Sequence, residues 1–309
     1  MKVINLAVVL LIGVMMIGCA SIGKIQIEVL RAPVDSLSLA NQNISISNGF
    51  LQRNVKDKKE FKNLVKYDKY RLDSLISVES VLALRQILMD AGSVNIGAVD
   101  SIGQMKVGGN YVSIDKVNIR SEVETEPMYV HSRGAYYASV RVPYEIMWNI
   151  YTIDGQVYTK DFNDTLWAEG YAYSFDKLAD LVQFDNVIEY IISKTTFDFA
   201  RKISPVWEET TRYYYRSSNN DFLRAAYFMD NKQYDEAALI WQKYSENPKG
   251  SLAAKAYLNL AVYHELKGDL NEAIIFSQKS AELKDELAGK YLKVLQQRQK
   301  ETNRILKGN

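Results

Sequence analysis

Residues 230–244, DNKQYDEAALIWQKY, and residues 267–280, KGDLNEAIIFSQKS, echo one another. Laying Ala237 on Ala273 aligns D-E-A with N-E-A at an offset of 36 residues. A period of that length marks a repeated supersecondary unit that buries its apolar face only by stacking on its neighbours. From residue 218 onward the composition shifts to helix formers, and Tyr291 lies 34 residues after Tyr257, opening AGKYLKVLQQRQKETNRILK. That last segment turns polar, as a terminal capping helix must. The reading over 218–309 is an all-α helical repeat domain.

Upstream the period changes from helical to two-residue. KIQIEVL (24–30) alternates Ile25, Ile27 and Val29 with polar residues, and a second short strand is expected over Ile44–Ser47. VRVPYEIMWNIYT (140–152) gives the strongest strand pattern, with Val140, Val142, Tyr144, Ile146, Trp148 and Ile150 on one face. Asp154-Gly155 then predicts a tight hairpin, and Pro143, which has no N–H to donate, predicts an edge position or a bulge. Strands are also expected over 94–99, 111–119 and 165–172, and a charged connection over 54–69. Helical spacing predicts a helix capped by Asp73 or Ser74 and stopped by Gly92, and a second over 186–203. Residues 19–204 thus read as an α+β domain, a mainly antiparallel sheet with packed helices. Residues 205–217, with Trp207 and Tyr213-Tyr214-Tyr215, read as an aromatic linker helix joining the two domains.

The helical copies resemble the tetratricopeptide repeat. Tyr257, Leu260, Ala261, Gly268, Ala273 and Ala281 match its pattern in the second copy, with Ser280 where the family has Ala. In the first, Ala225, Ala237, Trp241 and Pro248 match, while Arg224 replaces Leu and Tyr244 replaces a small residue. The resemblance implies stacked antiparallel helix pairs and an inner groove for a protein or peptide. Asn219, Phe222, Ala226 and Met229 from the first copy, with Lys255, Leu258, Val262 and Glu265 from the second, would line it.

The amino-terminal stretch MKVINLAVVLLIGVMMIGCAS pairs Lys2 with an apolar run from Leu6 to Ile17. Twelve residues span about 18 Å as a helix, too short for a bilayer core that takes about 20 residues. The pattern is that of a secretory signal over 1–18. Met16-Ile17-Gly18-Cys19 resembles a bacterial lipobox, which implies cleavage before Cys19, lipidation of its thiol and a membrane anchor. Ala20-Ser21 after it resembles outer-membrane sorting, with a periplasm-facing body. Cys19 is the only cysteine, so no intrachain disulfide forms and stability comes from packing.

A formal charge of +1 gives no footprint for nucleic acid. Gly103, Gly108 and Gly109 lack phosphate-loop spacing, so they read as turns. With two histidines, His131 and His264, and one cysteine, no metal or cofactor site is expected. Asp161 and Asp164 in KDFNDTLW offer the paired carboxylates that a glycosidase or a calcium site would use, and turn chemistry accounts for them more simply. The expected function is therefore not enzymatic: a lipid-anchored envelope protein presenting its helical repeats to a protein partner as an assembly scaffold. The alternative is a lipoprotein whose α+β domain binds a glycan or small molecule, with Tyr136, Tyr137, Trp148 and Trp167 as stacking faces. The whole chain also resembles uncharacterised exported lipoproteins that join a mixed domain to carboxy-terminal repeats.

Overall fold

The long strand foreseen around Trp148 is β6 (Arg133–Tyr151), and the α+β unit is assembled on it in this computed structural model. The structure describes residues 21–35, 37–50, 69–92, 94–97, 109–120, 122–174, 177, 184–246 and 250–307. The expected leader with Cys19, Gly103, Gly108 and most of the expected 54–69 connection lie outside those residues. The chain forms two units: residues 30–207, and residues 21–29 together with 208–306. A sheet-rich region is followed by a helical one.

In the first unit β2 (Asn43–Ser47) runs parallel to β3 (Asn95–Ile96) and to β4 (Asn110–Ile119). β6 is antiparallel to β4, to β5 (Glu122–Val130) and, along its other edge, to β7 (Val157–Ala172). One face of the sheet carries α1 (Lys69–Ala91) and α2 (Phe184–Ile203). Ile76, Leu84 and Leu88 of α1 and Ile191, Phe199 and Ile203 of α2 are fully buried there, in one cluster with Val112, Ile114, Ile146, Trp148 and Ile150. The α1 helix starts one turn before the expected cap, and Asp73 lies within it, accepting the Ile119 N–H at 3.1 Å. Gly92, at φ +60°, ends it as expected.

Two details of the sheet follow from local chemistry. β4 inserts Asp115 as an extra residue between Ile114↔Trp148 and Lys116↔Met147. That bulge shifts the alternation by one, so Val112 and Ile114 before it and Val117 and Ile119 after it all reach the core. Pro143 is not at an edge: β4 and β5 flank β6 on one side and β7 on the other. Its carbonyl accepts from Arg120 N–H in the link between β4 and β5, so the missing donor falls at the joint between two partner strands, where no ladder bond is lost. The 154–155 hairpin is present, with Gly155 at φ +84°.

In the second unit β1 (Ser21–Arg31) pairs with β8 (Val206–Ser217). Ser21 bonds Ser217 and Gln26 bonds Thr211, so the strands run antiparallel. The expectation of a linker helix over 205–217 is corrected: the segment is strand, burying Val206, Arg212 and Tyr214 and exposing Trp207 and Tyr213. Its Thr pair and three successive Tyr fit a pleated, half-buried surface better than a helix, and the strand that completes it lies far upstream in sequence. The boundary expected at residue 19 is corrected with it, because residues 21–29 belong to the helical unit.

Five helices follow: α3 (Asn220–Asp230), α4 (Tyr234–Ser245), α5 (Gly250–Leu266), α6 (Leu270–Glu282) and α7 (Glu286–Lys307). The α3–α4 and α5–α6 turns place Lys232 (φ +58°) and Gly268 (φ +83°) at equivalent left-handed positions, 36 residues apart like Ala237 and Ala273. Those alanines are both fully buried. Ser280, standing where Ala was expected, donates its hydroxyl to the Ala254 carbonyl at 2.7 Å and so ties α6 to α5 without leaving a buried polar atom unmet.

Because residues 30–207 lie between two paired strands, the first unit is an insertion in the second. The two strands run antiparallel, so a tight Asn-Gly turn joining the end of β1 to the start of β8 can replace the insertion. That shortened chain is expected to melt cooperatively in a thermal scan. A chain that starts at residue 218, lacking both strands, is expected to show no cooperative transition.

Candidate functional site

The residues expected to line an open groove are packed against the protein's own ribbon. Phe222, Ala226 and Met229 are buried in a cluster with Tyr214, Trp241 and Leu260, and Ile25 and Tyr215 pack onto it. Leu258 and Val262 are fully buried in a second cluster that also takes Ile25 and Tyr215. Asn219 caps α3, its side-chain carbonyl accepting the Phe222 N–H at 2.9 Å while its amide donates to the Tyr244 hydroxyl at 2.7 Å. The Lys255 ammonium lies 5.3 Å from the centre of the Tyr215 ring. The expected groove is thus corrected as a free surface: β1 and β8 occupy it.

Asn259 shows how. Its side chain accepts the Tyr215 N–H at 2.7 Å and donates to the Tyr215 carbonyl at 2.8 Å, gripping both backbone groups of one β8 residue. An extended segment is held in this way by main-chain hydrogen bonds that depend little on its side chains. Sequence reasoning passed over Asn259, although an amide in the apolar run LNLAV needs buried partners and so carried a signal.

Glu265, also placed in the groove by resemblance, is the buried centre of a four-residue network. Arg212 of β8 reaches it with two nitrogens, Nε to Oε2 at 2.7 Å and Nη2 to Oε1 at 2.9 Å. Arg298 of α7 bonds Oε1 at 2.6 Å, and the Tyr291 hydroxyl donates to Oε2. Burial by itself raises a carboxyl, but the Arg212 ion pair, the Tyr291 hydroxyl and Arg298 outweigh it and hold Glu265 below its ordinary value. Burial and the neighbouring Glu265 charge push the Tyr291 phenol well above its own.

On the α+β unit, the face of the sheet away from the helices holds a different set. β7 places Trp167, Glu169 and Tyr171 in one row, opposite Arg141, Ser139 and Tyr137 of β6. β6 in turn faces Glu122, Glu124 and Glu126 of β5. Trp167 is 62% exposed and Tyr171 47%. The Arg141 guanidinium sits 5.5 Å from the centre of the Trp167 ring and pairs with Glu124 at 2.8 Å and Glu122 at 3.1 Å. A hydrogen bond with Glu169 raises the Tyr137 phenol. Of the four aromatics expected to stack on a ligand, Tyr137 and Trp167 share this face. Tyr136 has the opposite parity, and Trp148 is fully buried, stacked on Phe199 at 4.8 Å.

The remaining candidates disperse. Asp161 and Asp164 lie three residues apart on the unbroken strand β7 and point to opposite faces. Both border a polar cleft of about 440 Å³ with Lys194, Asp198 and Arg201. His131, with Ser132, makes the two-residue turn between β5 and β6, both at positive φ. His264 stacks on Phe276 with ring centres 5.0 Å apart. Among the described residues, no group of three or more His, Cys, Asp or Glu could hold a metal ion.

Residues 223–306 match a family described as a domain of unknown function (DUF6340), and residues 112–215 match another so described (DUF8603). None of the curated proteins matches the chain. Among solved structures, a minor lipoprotein from Acinetobacter baumannii is 8% identical, covering 53% of this chain and 98% of its own, with a TM-score of 0.25. The hypothetical protein CT253 from Chlamydia trachomatis is 13% identical over 52% of this chain and 95% of its own, with a TM-score of 0.20.

Removing the charge at the centre of the network leaves two arginines inside with nothing to balance them. Glu265→Gln is expected to lower the free energy of unfolding by roughly 3–5 kcal/mol in chemical denaturation. The pH dependence has a definite sign. Since the folded carboxyl lies below its unfolded value of about 4.3, its contribution is present above that pH and is lost as pH falls through the folded value. Acid titration of the unfolding free energy is expected to show this loss in the native chain and not in Glu265→Gln.

Proposed function

We propose that the protein is a lipid-anchored binding protein of the cell envelope, with recognition placed on the α+β unit and tetratricopeptide-like hairpins that brace the tether ribbon. Cys19, two residues before β1, is the anchor, and the outer membrane is its destination. Among the described residues no helix is long and apolar enough to cross a membrane. The cysteine that ends the apolar leader pattern supports attachment through acyl chains.

The choice between the two binding modes turns on where apolar surface remains open. The groove that a partner peptide would enter already holds Tyr214, Tyr215 and Ile25, which argues against the repeats as the docking element. The observation that carries the proposal is the exposed row of Trp167, Glu169 and Tyr171, flanked by Arg141 and the β5 glutamates. Flat aromatic faces stack on the apolar faces of sugar rings, and adjacent carboxylates accept hydrogen bonds from hydroxyls, so a glycan is the class of ligand that suits it. The chemistry is binding, with no catalytic residue assigned.

Thermal shift against a panel of envelope glycans tests this. A cognate ligand at a hundred times its Kd is expected to stabilise the native chain by about 2.7 kcal/mol. Trp167→Ala is expected to abolish the shift while leaving the unliganded melt unchanged, because the ring is exposed. A shift that survives Trp167→Ala paired with Tyr171→Ala contradicts the assignment. So does a shift lost on breaking the helical unit with Asn259→Ala but kept in the double variant.

A further inference from the structure

The route from the anchor to the folded body is short, and it ends beside an exposed helix face. Only Ala20 separates Cys19 from Ser21. Two residue steps reach at most about 7 Å, so acyl chains on Cys19 hold Ser21 within that distance of the headgroups. Ser21 is fastened in turn: its N–H donates to the Ser217 hydroxyl at 2.9 Å, and the two hydroxyls lie 2.7 Å apart. Ser217 ends β8, and α3 begins at Asn220. The end of the ribbon that faces the anchor is thus the end that leads into α3.

The α3 helix has two unlike faces. Phe222, Ala225, Ala226 and Met229 are buried. At the complementary helical spacing, Asn220, Leu223, Arg224 and Tyr227 face outward, Leu223 54% exposed and Tyr227 63%. Phe228 borders this stripe: its ring packs edge-on against Tyr227 at 6.0 Å, and the Arg224 guanidinium lies 5.8 Å from its centre. The two acids of the helix are engaged elsewhere. Asp221 accepts from the Tyr244 hydroxyl at 2.8 Å, and Asp230 holds Arg216 through two bonds of 2.7 and 2.6 Å. On β1, Ile22 is half exposed next to Ser21. An outward leucine and tyrosine with one arginine, bordered by an exposed Asp230 whose charge Arg216 balances, is a composition that suits a membrane interface, where aromatic rings sit at headgroup depth and a guanidinium reaches phosphate.

We propose that the outward stripe of α3, Leu223, Arg224 and Tyr227, rests on the bilayer surface beside the anchor, with Ile22 next to it. This rests on the lipoprotein reading, since Cys19 supplies the tether. It assigns the helical unit as a part held at the membrane, because the anchored strand belongs to that unit.

The test uses the acylated full-length mature protein in vesicles of phosphatidylethanolamine and phosphatidylglycerol containing spin-labelled lipid. Mass spectrometry first establishes the acyl chains on Cys19. Single cysteines at exposed positions, Leu223→Cys, Tyr227→Cys and, as reference on α7, Lys300→Cys, then carry an environment-sensitive fluorophore. The acylated Cys19 takes no label. Several-fold stronger lipid quenching and a blue-shifted emission at 223 and 227 than at 300 is the expected result. Equal quenching at all three positions on an acylated protein overturns the docking surface and leaves the lipoprotein reading intact. Absence of acyl chains overturns both. Shielding at 223 and 227 from an aqueous quencher without lipid quenching, together with a dimer by light scattering, overturns the proposal in favour of a second copy on this face.

Discussion

A buried carboxylate fixes the arrangement of the helical unit. Glu265 sits buried in the last turn of α5 with its two oxygens committed to Arg212 of β8 and to Arg298 and Tyr291 of α7. Withdrawing these charges from water costs several kcal/mol per ion, and their attraction offsets that only when every lone pair and proton is met. The network therefore adds little net stability over an apolar core of the same volume. What it adds is register, since slipping β8 by one residue would turn Arg212 to the outer face and strand Glu265 without its partner. Asn259, six residues earlier on the same helix, grips the Tyr215 backbone and enforces the same alignment.

Much of the molecule's organisation follows from that alignment. β8 packs on the helices with β1 paired to it, and β1 is the first described element. The α+β unit is spliced into the connection between them. Long insertions at such a position cost little, because loop-closure entropy grows only logarithmically with length. The helical face that the repeat resemblance assigned to a partner is buried against the protein's own ribbon.

Elements were legible in the sequence wherever a single period ran unbroken. β6, the 154–155 hairpin, α2 and the 36-residue echo all show their period directly. Pro143 misled because a proline at the joint between two partner strands has the same signature as one at an edge. The segment WEETTRYYY misled because its partner lies 180 or so residues upstream, and a strand whose mate is that distant looks locally like any aromatic stretch. The candidate site residues Phe222, Ala226, Met229, Leu258 and Val262 lie buried on the helical face that the β1–β8 ribbon packs against. Nothing in the sequence said that this face is already covered. Glu265 as a lone charge gave no hint of burial, because Arg212, Tyr291 and Arg298 lie 53, 26 and 33 residues away from it.

The central claim, that the helices fold around β8 as an integral strand, is tested most directly at one amide. Tyr215 N–H is bonded to the Asn259 side chain, so native-state hydrogen exchange at that position reports whether the strand leaves the groove on its own. The account predicts that Tyr215 exchanges with the same opening free energy as the central amides of α5, opening only when the whole unit unfolds. Exchange of Tyr215 through a much smaller opening, with α5 still protected, would contradict it.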